Sequence, residues 1–566
     1  MSIHTNSKLM ETTKLSPVKR FWLLLKPDKL EIRNIYIYAI IIGLLNLVLP
    51  IGIQSIINLI QGGAVNTSWV ILIILVATAI ALSGVLQINQ LRITENLQQK
   101  IFTRAAFEFT YRIPKIKLEQ LFKQYAPELM NRFFDVVSIQ KGITKILIDF
   151  SSASIQVLFG LILLSLYHPF FIVFSLLLVL IIVFIFWMTI KSGLKTSLEE
   201  SKHKYLLAHW LEELARSNST FKLAGNTNLP MNRTNELAGD YNKARENHFK
   251  ILRWQYSLMV VFKVLVAVGL LLIGGLLVID QQMNIGQFVA AEIVILLIVN
   301  SVEKVILNFE TIYDVLTSLE KLGQVTDLEL EGNKGIIMAQ TDRGIELELN
   351  NISYQYPEEE RLVINDLSLV IKSKERVLIT GKNDSGKATL LYLVSGLLSP
   401  SKGSISIDGI PGHNYEYDHL RSQIGGYLRD ETLFEGTLLE NITLGRENAS
   451  FENVKWAIKN LNLSQTINQL GDGYHSRIYP QGKQFSKSTV AKILLARAIA
   501  DKPRLLLLEN SFSVFSIEDR LDILTFLLNR EHNWTVLLSS SQELELPHLI
   551  DHEVILKNGK IINEKH

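Results

Sequence analysis

Arg376-Val-Leu-Ile-Thr380, then Gly381-Lys-Asn-Asp-Ser-Gly-Lys-Ala-Thr389, then the apolar run 390–398, is the stretch on which the reading of this chain turns. It places a short apolar strand, a tight loop and a helix in succession. Gly386 and Lys387 stand at the spacing from Gly381 that a phosphate-binding loop requires. Backbone amides at the start of the helix can cradle a phosphate, with Asn383, Ser385, Gly386, Ala388 and Thr389 around it, while Lys387 reaches the β and γ groups. Upstream, the runs 344–349, 350–357 and 367–371 are strand-like and divided by polar turns. The C-terminal part therefore reads as an α/β P-loop domain.

Toward the N-terminus the pattern changes. The chain has 566 residues, 48% apolar and 20% charged, against roughly 25% charged in ordinary soluble proteins. Its 57 basic and 55 acidic residues leave +2, which gives no electrostatic reason to expect nucleic acid as a partner. The absence of cysteine excludes disulfides, thiolate metal sites and cysteine nucleophiles. Apolar runs at 35–58, 69–91, 146–166, 170–190, 258–279 and 286–307 are each long enough for a helix to cross about 30 Å of hydrocarbon.

The connections 61–68, 167–169 and 280–285 are short and free of Lys and Arg, whereas 92–145 and 191–257 are long and charged. The tail before the first run holds seven Lys/Arg and three Asp/Glu. The positive-inside tendency then places both termini and both long segments in the cytoplasm. Residues 18–25, with Phe21 and Trp22 beside Lys19, Arg20 and Lys26, read as an interfacial amphipathic helix. Asp149, Lys263 and Glu292 are ionisable groups in or near apolar windows, and the cost of charge in hydrocarbon directs them to protein, water or the interface.

Six spans followed by this loop resemble a half-transporter of the ABC exporter superfamily across nearly the whole chain. The Leu-Met-Asn-Arg-Phe-Phe-Asp stretch at 129–135 is similar to the membrane domains of type I secretion and peptide exporters. The resemblance implies a multidomain membrane protein, an all-α six-span exporter-type domain followed by an ABC-type α/β P-loop domain. Its expected divisions are 1–34 (cytosolic tail with elbow helix), 35–318 (transmembrane domain), 319–340 (linker) and 341–566 (nucleotide domain). It also implies the bacterial inner membrane, a homodimer or a heterodimer with another half-transporter, a periplasmic adaptor, and coupling bends near 104–118 and 214–223.

Laid onto this chain, the family pattern makes Tyr356 the aromatic that stacks on adenine. Arg429 stands where the family has a glutamine that couples the nucleotide site to the membrane helices. Phe485-Ser-Lys-Ser-Thr489 occupies the signature position with only Ser486 matching, and Ser513-Val-Phe-Ser516 lacks the D-loop aspartate. Glu509-Asn510 replaces the usual Asp-Glu pair, and Ser541 falls at the switch histidine. Ala388 lacks the hydroxyl that normally meets magnesium, leaving Thr389 and Glu509 as candidate ligands, and Asp384 adds a negative charge near the phosphates. ATP and magnesium are the implied cofactors. Because magnesium tolerates little displacement and phosphoryl transfer depends on positioned charge, the expectation is an export subunit with impaired or absent hydrolysis. A non-hydrolytic scaffold or regulatory subunit of a secretion complex is the alternative.

Overall fold

The computed structural model describes residues 15–63, 67–122, 126–332, 334–339, 341–357, 359–509, 512–541 and 547–566. It divides into two compact units, Met1–Pro114 with Tyr125–Leu328, and Lys115–Gln124 with Glu329–His566.

The first unit is all helix. Among the described residues, six helical stretches are long and apolar enough to cross a membrane: Pro17–Gln61, Thr67–Lys115, Glu128–Tyr167, Phe170–Arg216, Leu229–Ile279 and Ile285–Thr326. The chain is an integral membrane protein with six such spans. At 1.5 Å per residue, a helix of 46 residues such as Thr67–Arg112 runs about 70 Å, more than twice the hydrocarbon thickness. The spans therefore continue far beyond their apolar windows. Their outer faces expose Ile71, Ile74, Leu75, Leu176, Leu177 and Leu180, a surface that water would penalise and lipid covers.

Packing inside the bundle centres on Phe171, Met259, Phe262, Val266, Ile298, Phe309 and Tyr313. Several buried polar groups pair with one another, which lowers the cost of holding them away from water. Gln255 Nε2 donates to Thr189 Oγ1 and to Tyr313 Oη, both at 2.8 Å. Lys263 is ion-paired with Glu303 at 2.5 Å, a partner 40 residues away that the local sequence does not announce. Glu292 is half-buried, and Asp149 lies in a π-helical turn, Ile146–Phe150, inside the third span.

The first span is broken in two at Leu47, between Lys29–Asn46 and Val48–Gln61. Pro50, which lacks an N–H, sits in the first turn after the break. Ahead of it, Pro17–Leu25 forms a separate helix capped by Ser16, whose side chain accepts from the Lys19 N–H. Trp22 and Leu23 are exposed on it. Arg20 holds Asp327 through both nitrogens, at 2.9 and 2.5 Å.

The second unit is α/β. An antiparallel sheet is formed by β1 (Leu347–Tyr354), β2 (Ile364–Ile371), β4 (Lys402–Ile407) and β5 (Ile410–Pro411), in the order β2-β1-β4-β5. The main sheet contains β3 (Arg376–Thr380), β6 (Ile424–Tyr427), β9 (Leu505–Leu508), β10 (Thr535–Ser540), β11 (His552–Lys557) and β12 (Lys560–Lys565). Its order is β12-β11-β3-β10-β9-β6. The pair β7 (Gly436–Thr437) and β8 (Arg477–Ile478) stands apart.

In the main sheet β3, β10, β9 and β6 are parallel neighbours. Every residue of β9 is buried, as expected of strands covered on both faces. Helices Lys387–Val394 and Lys487–Ile499 bury Leu390, Leu391, Leu494 and Leu495 against the strands. The central strands β3, β9 and β10 thus deliver Gly381, Glu509 and Ser541 to one end of the sheet, immediately after their last residues.

Candidate nucleotide site

The phosphate loop begins where β3 ends. Gly381 is packed so closely that a Cβ there would lie 2.4 Å from the Leu556 carbonyl oxygen. At Gly386, φ is +101° and an added Cβ would meet Val363 O and Ile364 Cδ1 at 2.8 Å. Both positions therefore require glycine for a steric reason. Asp384 also has a positive φ, +63°, a conformation Asp tolerates better than most side chains. Lys387 starts the helix Lys387–Val394, and its ammonium donates to Gly381 O at 2.6 Å and Lys382 O at 2.8 Å. Burial pushes the Lys387 ammonium pKa down, opposed by the nearby acids Asp384 and Glu509.

This loop forms one wall of a cleft of about 930 Å³. Of the residues singled out above, Tyr356, Asn383, Ser385, Gly386, Lys387, Ala388, Thr389, Arg429 and Glu509 line it. Gly381 is not among the lining residues, and its carbonyl accepts from the Lys387 ammonium. Ser541 follows the end of β10 and is exposed, and the cleft is lined from that strand by buried Ser539 instead. Ser486 is elsewhere, as the N-cap of Lys487–Ile499, accepting from the Thr489 N–H at 3.1 Å. Asn510 lies outside the described residues.

The two candidate magnesium ligands are already engaged. Thr389 Oγ1 is 3.0 Å from Tyr356 Oη. Glu509 Oε2 accepts the Arg429 backbone N–H at 2.8 Å. Burial raises the Glu509 carboxyl pKa, and that N–H only partly offsets it. Ala388 offers no oxygen side chain. The donor set therefore fits a nucleotide phosphate, through Lys387 and the loop amides, but does not fit magnesium in the family's manner.

Arg361, Glu359 and Ser539 also line the cleft and were not anticipated. Arg361 Nη2 donates to the Asp384 carbonyl at 3.2 Å, setting a cation over the loop beside the acid that would repel phosphate. Its position five residues after Tyr356, in the turn that leads to β2, is the only sequence signal for it.

Phe122 was missed as well. Its ring meets Tyr356 edge-on, with centroids 5.1 Å apart. Residues 115–122 belong to this second unit through Lys115–Asp418 at 3.2 Å, a Glu119 carboxylate accepting the Ser399 N–H at 3.1 Å, and a bridge between Ile116 and Leu330. The helix Asn218–Leu223, in the other expected coupling region, belongs to the first unit.

Comparison with known proteins agrees with this geometry. Residues 32–302 match the model of the ABC transporter transmembrane region, and residues 364–513 match that of the ABC transporter family. An uncharacterized ABC transporter ATP-binding protein of Bacillus subtilis, YfiB, is 31% identical over 246 residues, which is 43% of this chain and 42% of that protein. The leukotoxin export ATP-binding protein LtxB of Aggregatibacter actinomycetemcomitans is 27% identical over 310 residues, 55% of this chain and 43% of that protein. The chain thus spans less than half the length of these two curated relatives. A bacterial Atm1-family ABC exporter with ATP bound superposes with a TM-score of 0.84 at 18% identity, covering 95% of both chains. Two family matches in tandem, over six membrane helices and a P-loop domain, identify an ABC exporter-type half-transporter.

Proposed function

We propose that the chain is an ABC-type export subunit for peptide, protein or amphipathic cargo whose nucleotide domain binds ATP but turns it over slowly or not at all. The carrying observation is the contrast inside one cleft. Lys387 is seated in a well-formed phosphate loop, while Ala388 offers no side-chain oxygen and Thr389 Oγ1 and Glu509 Oε2 already carry hydrogen bonds within the protein. In this reading Tyr356 stacks on the base, and Lys387 with the loop amides holds the phosphates.

ATP would supply binding energy that draws two nucleotide domains together. The chain's own residues orient it and give the β and γ groups a cation. The relative named for leukotoxin export, and those named for translocation of exotoxin and α-haemolysin, support a protein or peptide cargo. They also support work with membrane partners, here a second half-transporter and a periplasmic adaptor. Basic flanks favour the bacterial cytoplasmic membrane with both termini in the cytoplasm. A non-hydrolytic scaffold in a secretion complex is the second reading, favoured by the engagement of Glu509 with the Arg429 amide.

The test is ATPase measurement on the full chain in lipid, alone and with copurifying partners. No turnover alone is expected. Turnover that disappears in Lys387→Ala overturns the impaired-hydrolysis reading, and copurification with an adaptor but without a second half-transporter favours the scaffold.

A further inference from the structure

We infer that the cleft binds a nucleoside triphosphate without magnesium, its phosphates contacted instead by three cations of this chain, Arg361, Lys387 and Arg429. The inference rests on the nucleotide reading above and adds how the charge is met.

A polyanionic triphosphate entering a partly buried cleft needs compensating positive charge. In an ABC site a divalent ion is expected to supply much of it, and here the positions that would hold the ion offer a methyl group, an engaged hydroxyl and an engaged carboxylate. In their place stand fixed cations. Arg429 is exposed at the cleft wall, and its guanidinium makes no hydrogen bond or ion pair with any described residue. Its backbone N–H is tied to Glu509 Oε2 at 2.8 Å, so the side chain springs from a point anchored beside that carboxylate.

Arg361 meets the loop through its bond to the Asp384 carbonyl, 3.2 Å. Lys387 lines the same cleft, its ammonium held by loop carbonyls that a phosphate oxygen can replace. A guanidinium presents a planar fork that matches two phosphate oxygens and never loses its charge. Three acids, Glu359, Asp384 and Glu509, share the cleft.

The experiment is a calorimetric titration of ATP into the full chain in detergent, once with excess EDTA and once with excess magnesium. The expected result is a Kd in EDTA within about threefold of that in magnesium, and weakening with added salt, because exposed arginine charge is screened. Arg429→Gln is expected to weaken binding in EDTA about tenfold, the 1.4 kcal/mol of one charge-assisted contact, with Arg429→Lys recovering part of it. Magnesium-dependent binding, tenfold or more tighter than in EDTA, overturns the inference while leaving the nucleotide reading standing. Unchanged affinity in Arg429→Gln also overturns it. Absence of ATP binding in both buffers, or binding indifferent to Lys387→Ala, overturns the inference together with the reading on which it rests.

Discussion

Glu431 offers a test of the loop that carries Arg429. Its carboxyl accepts the Leu428 N–H at 3.3 Å and lies 3.6 Å from Arg497, with 27% of the side chain exposed. Burial outweighs that attraction and pushes its pKa from 4.5 up to about 6. The unfolded chain keeps the lower value, so between these two pH values the folded protein binds more protons than the unfolded one. Stability therefore falls as pH rises from 4.5 to about 6. At 1.36 kcal/mol per unit, the ionised side chain costs the fold about 2 kcal/mol above that window. Below the window the cost vanishes. Glu431→Gln keeps an acceptor for Leu428 and Arg497 without the charge, and is expected to remove this decline. The assay is denaturant unfolding of the full chain in detergent from pH 4.5 to 7.5, following Trp456 and Trp534 fluorescence beside wild type. A wild-type curve that rises through this window, or a variant with the same decline as wild type, refutes the reasoning.

Gly386→Ala forces a side chain into φ +101° against Val363 O, costing at least about 1–2 kcal/mol. A lowered Tm of the nucleotide domain and weakened ATP binding are expected from calorimetry. Arg376 is 2% exposed and donates to the Leu528 and Asn529 carbonyls at 3.2 and 2.7 Å. Arg376→Met orphans those acceptors and is expected to cost about 3 kcal/mol or more in denaturant unfolding. Lys263→Ala leaves the Glu303 carboxylate without its cation among the described residues, at about 2–3 kcal/mol. Glu303→Gln added to that variant is expected to restore most of the thermostability in detergent, and a double variant no better than the single one contradicts the pairing.

The six-span membrane part and the P-loop domain were legible because each is written locally. Twenty-residue apolar runs need no partner to be recognised, and a phosphate loop declares itself through Gly381, Gly386 and Lys387 at fixed spacing. The break at Leu47 was readable in principle from Pro50, but composition alone let the apolar run pass through it. What escaped the sequence is what depends on distant parts of the chain. Glu303 is invisible as the partner of Lys263 until two helices pack. Arg361 matters only because the turn before β2 folds over the loop at Asp384. Ser539, rather than Ser541, reaches the cleft because it is buried within β10, whereas Ser541 lies past the end of that strand and is exposed. Thr389 looked free to reach a metal, and only tertiary packing brings Tyr356 Oη against it.

The attachment of residues 115–122 to the nucleotide unit bears on how this molecule is to be handled at the bench. A soluble fragment beginning near residue 329 would leave a bare aromatic face on Tyr356 and an unanswered Asp418, along with a Ser399 amide stripped of its acceptor. Affinities measured on such a truncation would report a wounded protein. A peptide spanning 113–124, supplied in trans, is the simplest bandage.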